Sequence, residues 1–177
     1  MFRLSPELKR RVQAELKEYP ELKRKITLLE YESRNPQRIT ENEVIGALSL
    51  SRPAQEAAKP AGYVSDKTMR IAFQFQEETE RLNRDAAFEI AQELFSVRSK
   101  VEKLEFYVSQ LPPKQAEVIR KHYFEEISWP ALQKELHVSS RTLISRRDDG
   151  IAALANMYQY MEQVTQNAKR GKAEKEG

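Results

Sequence analysis

Serine, threonine and arginine side chains are concentrated in one short stretch near the end of the chain, residues 139–147. Hydroxyl groups and free backbone N–H groups in the first turn of a helix can hold a phosphate. A guanidinium group can bind a phosphate or the edge of a guanine. This combination is typical of a surface that contacts nucleic acid. The candidate contacts in the stretch are Ser139, Ser140, Arg141, Thr142, Ser145, Arg146 and Arg147.

Helical spacing divides these candidates between two roles. Arg141 and Ser145 are four residues apart, so a helix places them on one face, about one turn apart. We expect these two side chains to read base edges, with Arg141 able to form a bidentate pair with guanine. The others are expected to hold phosphates, Ser140 and Thr142 in the first turn and Arg146 and Arg147 further along.

A short helix, a turn and a second helix must position these side chains. Ser128 followed by Pro130 predicts the start of the first helix, because serine can cap the free N–H groups and proline has no N–H to lose. Residues 137–139 predict the turn, and the second helix is expected to be capped by Ser139 or Ser140. Such an arrangement lays its second helix in the major groove of DNA.

Two residues before the turn, Ser128 and Lys134, are additional candidates for contact with the DNA backbone. Arg146 and Arg147 also have an alternative interpretation, because surface arginines are commonly ion-paired. Their possible partners are Asp148, Asp149 and Glu135.

The chain before residue 112 predicts further helices. Apolar residues at spacings of three and four predict a basic helix over residues 5–33, which Pro20 should kink or divide. The cations of that helix are expected to form a solvated face, with contact to DNA phosphates as the alternative. Thr40 and Glu43 fit a capping box at the start of a short helix. We therefore predict an N-terminal basic helix and linker over residues 1–62, a long helix over 63–111, a DNA-binding domain over 112–162 and a flexible basic tail over 163–177.

The long helix is expected to begin at a Ser65 cap, and its second half carries an apolar seam from Ala87 to Leu111. The seam alternates spacings of three and four, the pattern of left-handed helix pairing. Two interpretations remain open: packing against the N-terminal helix, which we favour slightly, or pairing with a second copy as a homodimer. The predicted fold is all-α, with a long helical hairpin or coiled segment followed by a C-terminal trihelical helix-turn-helix domain.

Composition argues against other classes of protein. There is no cysteine, and His122 and His137 are the only histidines, so we expect neither a metal site nor a cofactor. No phosphate loop, nucleophile elbow or carboxylate cluster is present, so we do not expect an enzyme. No apolar run reaches about 18 residues, so we expect no membrane span. The net charge is only +3, and any affinity for nucleic acid must therefore be local.

Residues 110–160 resemble the fourth region of bacterial sigma factors and related helix-turn-helix modules. Two positions depart from that pattern, since Ala131 replaces a usual glutamate and Gln133 a usual alanine. The longer side chain at Gln133 is expected to hinder close docking of the two helices, and His137 occupies a turn position where a small residue is common. The residues that carry the resemblance are Leu111-Pro112, Gln115, Val118-Ile119, Tyr123, Ser128, Leu132, Leu136, Val138-Ser139, Thr142-Leu143 and Arg146.

The whole chain is similar to phage and prophage regulators of the ArpU/RinA type, through the order of its segments and a YVSDKT stretch before the long helix. This resemblance implies binding to double-stranded DNA and activation of phage late genes with host RNA polymerase, in the cytoplasm of a bacterial host. Two alternatives remain open. One is a small terminase-like subunit of a DNA-packaging machine, and the other is a protein that binds RNA polymerase or a sigma factor without contacting DNA.

Overall fold

The structure, a computed structural model, describes the backbone of residues 6–50 and 66–173, and the side chains of residues 6–46 and 73–168. Within those ranges the fold is all-α, as predicted. No helix in the described ranges has the length and apolar character needed to cross a membrane. The helices are α1 (Pro6–Arg34), α2 (Glu41–Leu50), α3 (Asp66–Ser109), α4 (Pro113–Ile119), α5 (Trp129–Leu136) and α6 (Ser140–Ala173), and a π-helical turn (Arg120–Phe124) follows α4.

Helix α1 continues through Pro20, so the expectation that a second helix could begin there is wrong. Proline inside a helix removes one backbone hydrogen bond and costs about 3 kcal/mol. The apolar stripe on both sides of it packs into one core, which offsets that cost. Leu16 and Tyr19 are buried before the proline, and Leu22 and Ile26 pack against the same cluster after it.

The capping box at the start of α2 is confirmed. Oε2 of Glu43 accepts hydrogen bonds from the backbone N–H and the hydroxyl of Thr40, each at 2.8 Å, and the Glu43 N–H donates to the Thr40 hydroxyl at 3.4 Å. The first of these hydrogen bonds is the main reason that the pKa of Glu43 is lowered. The predicted Ser65 cap of α3 lies outside the described residues.

The described residues divide into two compact units: those up to Ile26 together with those from Val97 onward form the first, and those between Thr27 and Ser96 form the second. In the first unit, the end of the α3 seam shares one apolar cluster with α1. The cluster also includes residues of α4, of the π-helical turn and of α6. Its members are Leu8, Val12, Leu16 and Tyr19 from α1, Val101, Leu104 and Val108 from α3, and Leu111, Ala116, Ile119, Tyr123, Ile151, Leu154, Ala155 and Tyr158.

A second, smaller cluster in the same unit joins the three last helices. Val118 of α4, Leu132 of α5 and Leu143 of α6 are almost completely buried against one another. Trp129 packs against this cluster from the first turn of α5. The start of α6 is therefore fixed by apolar contacts on its inner side.

Helices α4 and α6 approach closely at Gly150. A Cβ atom at this position would lie 3.3 Å from Cγ1 of Ile119 and 3.5 Å from Cβ of Gln115. A side chain at residue 150 would therefore crowd α4. Beyond Gly150, α6 continues to Ala173, whereas the sequence predicted a separate tail from residue 163.

In the second unit, an amide side chain of α3 fixes the segment before α2. The amide of Asn83 accepts a hydrogen bond from the N–H of Ile39 at 2.8 Å and donates one to the Ile39 carbonyl oxygen at 3.0 Å. Val44 of α2 and Thr79 of α3 are buried, and the Thr79 hydroxyl donates to the carbonyl oxygen of Phe75 at 2.7 Å. Of the early seam residues, Ala87 is exposed, and Ile90 and Leu94 are half-buried.

Candidate nucleic-acid interface

Residues 137–139 connect α5 to α6, as predicted. His137 adopts the left-handed conformation, with φ of 49° and ψ of 42°. A residue in this conformation ends a helix, and a Cβ atom makes the conformation costly.

Ser139 is the cap of α6, and this settles the choice between Ser139 and Ser140. Its hydroxyl accepts a hydrogen bond from the N–H of Thr142 at 3.2 Å, and its carbonyl oxygen accepts one from the N–H of Leu143 at 3.1 Å. The hydroxyl groups of Ser139 and Thr142 also lie 2.9 Å apart, within hydrogen-bonding distance. Both hydroxyls thus stabilise the first turn of α6.

Ser140 instead links α6 to α5. Its hydroxyl donates a hydrogen bond to Oε1 of Gln133 at 2.9 Å, and both residues are exposed. Gln133 was expected to hinder close docking of the two helices, and that expectation is wrong. The long side chain lies on the outer side of the contact, where its amide can reach across the turn.

Ser128 occupies the cap position of α5 but does not act as predicted. Its backbone is extended, with φ of −67° and ψ of 152°, and its hydroxyl makes no capping hydrogen bond. Only its carbonyl oxygen takes part, accepting the N–H of Leu132 at 2.9 Å. Ser128 and Lys134 are both exposed, so both remain candidates for contact with the DNA backbone.

Arg141 and Ser145 share the exposed face of α6, on the side opposite Leu143 and Leu154. Arg141 forms no hydrogen bond or ion pair with any other side chain in the described ranges. The hydroxyl of Ser145 donates to Oδ2 of Asp149, one turn further along, at 3.4 Å.

The two neighbouring arginines, Arg146 and Arg147, have different environments. Nε of Arg147 donates to Oδ1 of Asp148 at 2.8 Å, and its guanidinium carbon lies 5.5 Å from the centre of the Trp129 ring. The ion-paired alternative therefore applies to Arg147, whose side chain is only 24% exposed. Arg146 is half-buried and has no ion pair within the described part of the chain.

The two histidines do not form a ligand set. The His122 ring lies against the Trp129 ring, with ring centres 3.9 Å apart and the planes tilted by 34°, and its Nδ1 lies 3.0 Å from the carbonyl oxygen of Ile127. His137 lies in the turn. Across the described residues, no group of three or more His, Cys, Asp or Glu side chains is placed to hold a metal ion.

Several cations of α1 are ion-paired, which the sequence did not reveal. Arg11 binds Glu15 and Glu162, and hydrogen bonding to Glu162 is the main reason that its pKa is raised. Lys23 pairs with Glu105, and Arg24 pairs with Glu21 and Glu126. Lys9, Arg10 and Lys17 are exposed.

Comparison of the chain with protein-family models, with curated proteins and with solved structures found no match. The two resemblances described above therefore rest on the sequence residues that carry them.

Proposed function

We propose that this protein is a sequence-specific transcriptional regulator that binds double-stranded DNA through the first turns of α6. In this proposal it activates phage or prophage late genes together with host RNA polymerase. The observation that carries the proposal is the exposure of Arg141 and its lack of an ion pair in the described structure. Arg141 lies on the outer face of a helix that follows a three-residue turn.

The burial behind α6 supports this proposal. Leu132 is 0% exposed and Leu143 is 1% exposed, so the inner face of α6 is fixed by close packing. A side chain that reads a base must be held within a fraction of an ångström of its productive position. The buried cluster and the Ser139 cap together give the first turn of α6 that rigidity.

The distribution of ion pairs also supports it. Of the predicted contacts, Lys134, Arg141 and Arg146 have no carboxylate partner in the described part of the chain, whereas Arg147 has one. Cations without partners can bind phosphate or guanine without first breaking an ion pair. Arg147 is better suited to holding Trp129 against α6 than to holding DNA.

The test is binding to DNA fragments that contain candidate phage promoters, measured at two salt concentrations. Arg141→Ala should weaken binding to the preferred sequence by about 1–3 kcal/mol and relax the preference at one base pair. Arg24→Ala is the matched control, because Arg24 lies on α1 and already binds two carboxylates. It should leave affinity and preference close to those of the wild type.

Absence of binding by the wild type at low salt would sink the proposal, as would an Arg141→Ala variant that binds like the wild type. Retained binding to RNA polymerase in a protein that binds no DNA would favour the polymerase-binding alternative. A ring of many subunits in solution would favour the DNA-packaging alternative.

A further inference from the structure

Two adjacent carboxylates on α6 have different environments. Asp148 is bound by Arg147, whose terminal nitrogen lies 2.7 Å from Oδ1. Asp149 has no cation partner among the described residues, and its carboxylate accepts a hydrogen bond from the Ser145 hydroxyl. Both aspartates are exposed, so the charge of Asp149 is the one left uncompensated.

The position of this charge requires an explanation if α6 binds DNA. Arg141, Ser145 and Asp149 follow one another at intervals of four residues, so all three lie on the exposed face of α6. A carboxylate near DNA phosphates is repelled by them. The same carboxylate is favourable if it faces the floor of the major groove, where amino groups of bases can donate to it.

The spacing along the helix is compatible with such a contact. Eight residues of helix span about 12 Å, and successive bases on one strand are about 3.4 Å apart. Arg141 and Asp149 could therefore reach bases about three or four steps apart. Among the four bases, cytosine presents only an amino donor in the major groove, which is the natural partner of a carboxylate.

We propose that Asp149 is a specificity-determining residue that accepts a hydrogen bond from the exocyclic amino group of a cytosine, and that Ser145 positions it. This inference rests on the proposed function, because it requires α6 to lie in the major groove. It also changes the role of Ser145, whose hydroxyl orients the Asp149 carboxylate instead of reading a base.

The experiment selects bound sequences from a pool of random duplexes, using the full chain and three variants. Asp149→Asn should shift the preference at one base pair from cytosine towards adenine by about tenfold, because an amide pairs with the N6 and N7 atoms of adenine. Ser145→Ala should reduce the cytosine preference without creating one for adenine. Asp148→Asn is the matched control, since it removes the same charge at the adjacent position and should leave the preference unchanged.

The outcomes distinguish this inference from the proposed function. Sequence-selective binding by the wild type, with the same preference in Asp149→Asn, would overturn the inference and leave the proposed function standing. An equal loss of preference in Asp148→Asn would also overturn it, because the effect would then come from charge alone. If the wild type bound no duplex in the pool, the proposed function and the inference would both fail.

Discussion

Two tyrosines of the first unit donate hydrogen bonds to carboxylates at the edge of the core. The hydroxyl of Tyr158 donates to Oε2 of Glu15 at 2.6 Å, and the hydroxyl of Tyr19 donates to Glu105. Burial, followed by the hydrogen bond to the carboxylate, raises the pKa of each tyrosine above its ordinary value of 10.0. A phenolate at either position would be desolvated beside a negative charge.

Stability is therefore expected to fall in alkaline solution. The folded pKa of these tyrosines lies above that of the unfolded chain, so their contribution is complete below about pH 10 and is lost as the pH rises through the folded pKa. Tyr158→Phe should reduce this alkaline loss, because phenylalanine cannot ionise. At neutral pH the variant should be less stable by about 1 kcal/mol, through loss of the hydrogen bond.

Urea unfolding at about pH 8 and about pH 11 measures both effects, on either side of the ordinary tyrosine pKa. Tyr160→Phe is the control, because Tyr160 is exposed, and this variant should follow the wild type at both values. An alkaline loss as large in Tyr158→Phe as in the wild type would contradict the explanation.

Sequence patterns located the candidate site, but they could not assign the partners of its side chains. The turn at residues 137–139 and the exposure of Arg141 followed from capping signals and helical spacing. The hydrogen bond between Ser140 and Gln133 depends on how two helices meet, which spacing along one chain does not specify. Likewise, spacing along the helix does not predict that Arg147 is held by Asp148 while Arg146 has no ion pair in the described part of the chain.

At the scale of whole helices, capping signals in the sequence predicted two helix starts correctly. Thr40 and Ser139 are local signals, because a cap depends on residues within one turn. The continuation of α1 through Pro20 depends on distant packing, since the residues on both sides of the proline enter one core. Local propensity therefore did not decide whether one helix or two would form at that proline.

Two helical glycines allow the close contact between α4 and α6 to be tested. Gly150→Leu should destabilise the protein by about 1–3 kcal/mol, because the new side chain must displace Ile119 or move α4. Gly46→Leu is the matched control, because a Cβ atom there would meet nothing within 4 Å. That variant should be at least as stable as the wild type, since leucine favours a helix more than glycine does.

Thermal unfolding followed by circular dichroism provides the comparison for both glycine variants. A Gly150→Leu protein that unfolds at the wild-type temperature would indicate that α4 and α6 can separate without cost. A Gly46→Leu protein whose unfolding temperature is as low as that of Gly150→Leu would indicate that leucine is destabilising at helical glycines in general.

At the scale of the molecule, the charge balance limits how strong the proposed binding to DNA would be. The net charge is only +3, and many cations are paired with carboxylates. Three cations near the turn have no such partner in the described structure: Lys134, Arg141 and Arg146. Binding should therefore depend only moderately on salt.

We expect the logarithm of the binding constant to fall with the logarithm of salt concentration with a slope of about −2 per bound chain, because Lys134 and Arg146 would neutralise two phosphates while Arg141 reads a base. Fluorescence anisotropy over a salt series gives the slope, and sedimentation gives the number of chains on the duplex. A slope of about −5 per chain would instead indicate that three further cations bind phosphates. The exposed cations of α1, Lys9, Arg10 and Lys17, would then be the first to replace by alanine.

The unbroken course of α6 has a geometric consequence. One helix carries both the exposed face with Arg141 and the buried face with Leu154 and Tyr158. The angle between these faces around the helix axis is therefore set by the number of residues between them. One inserted or deleted residue would turn the first part of α6 by about 100° relative to its anchor in the core. Among sequences that share this architecture, the number of residues between Arg141 and Leu154 should therefore vary far less than the identity of the side chains at those positions.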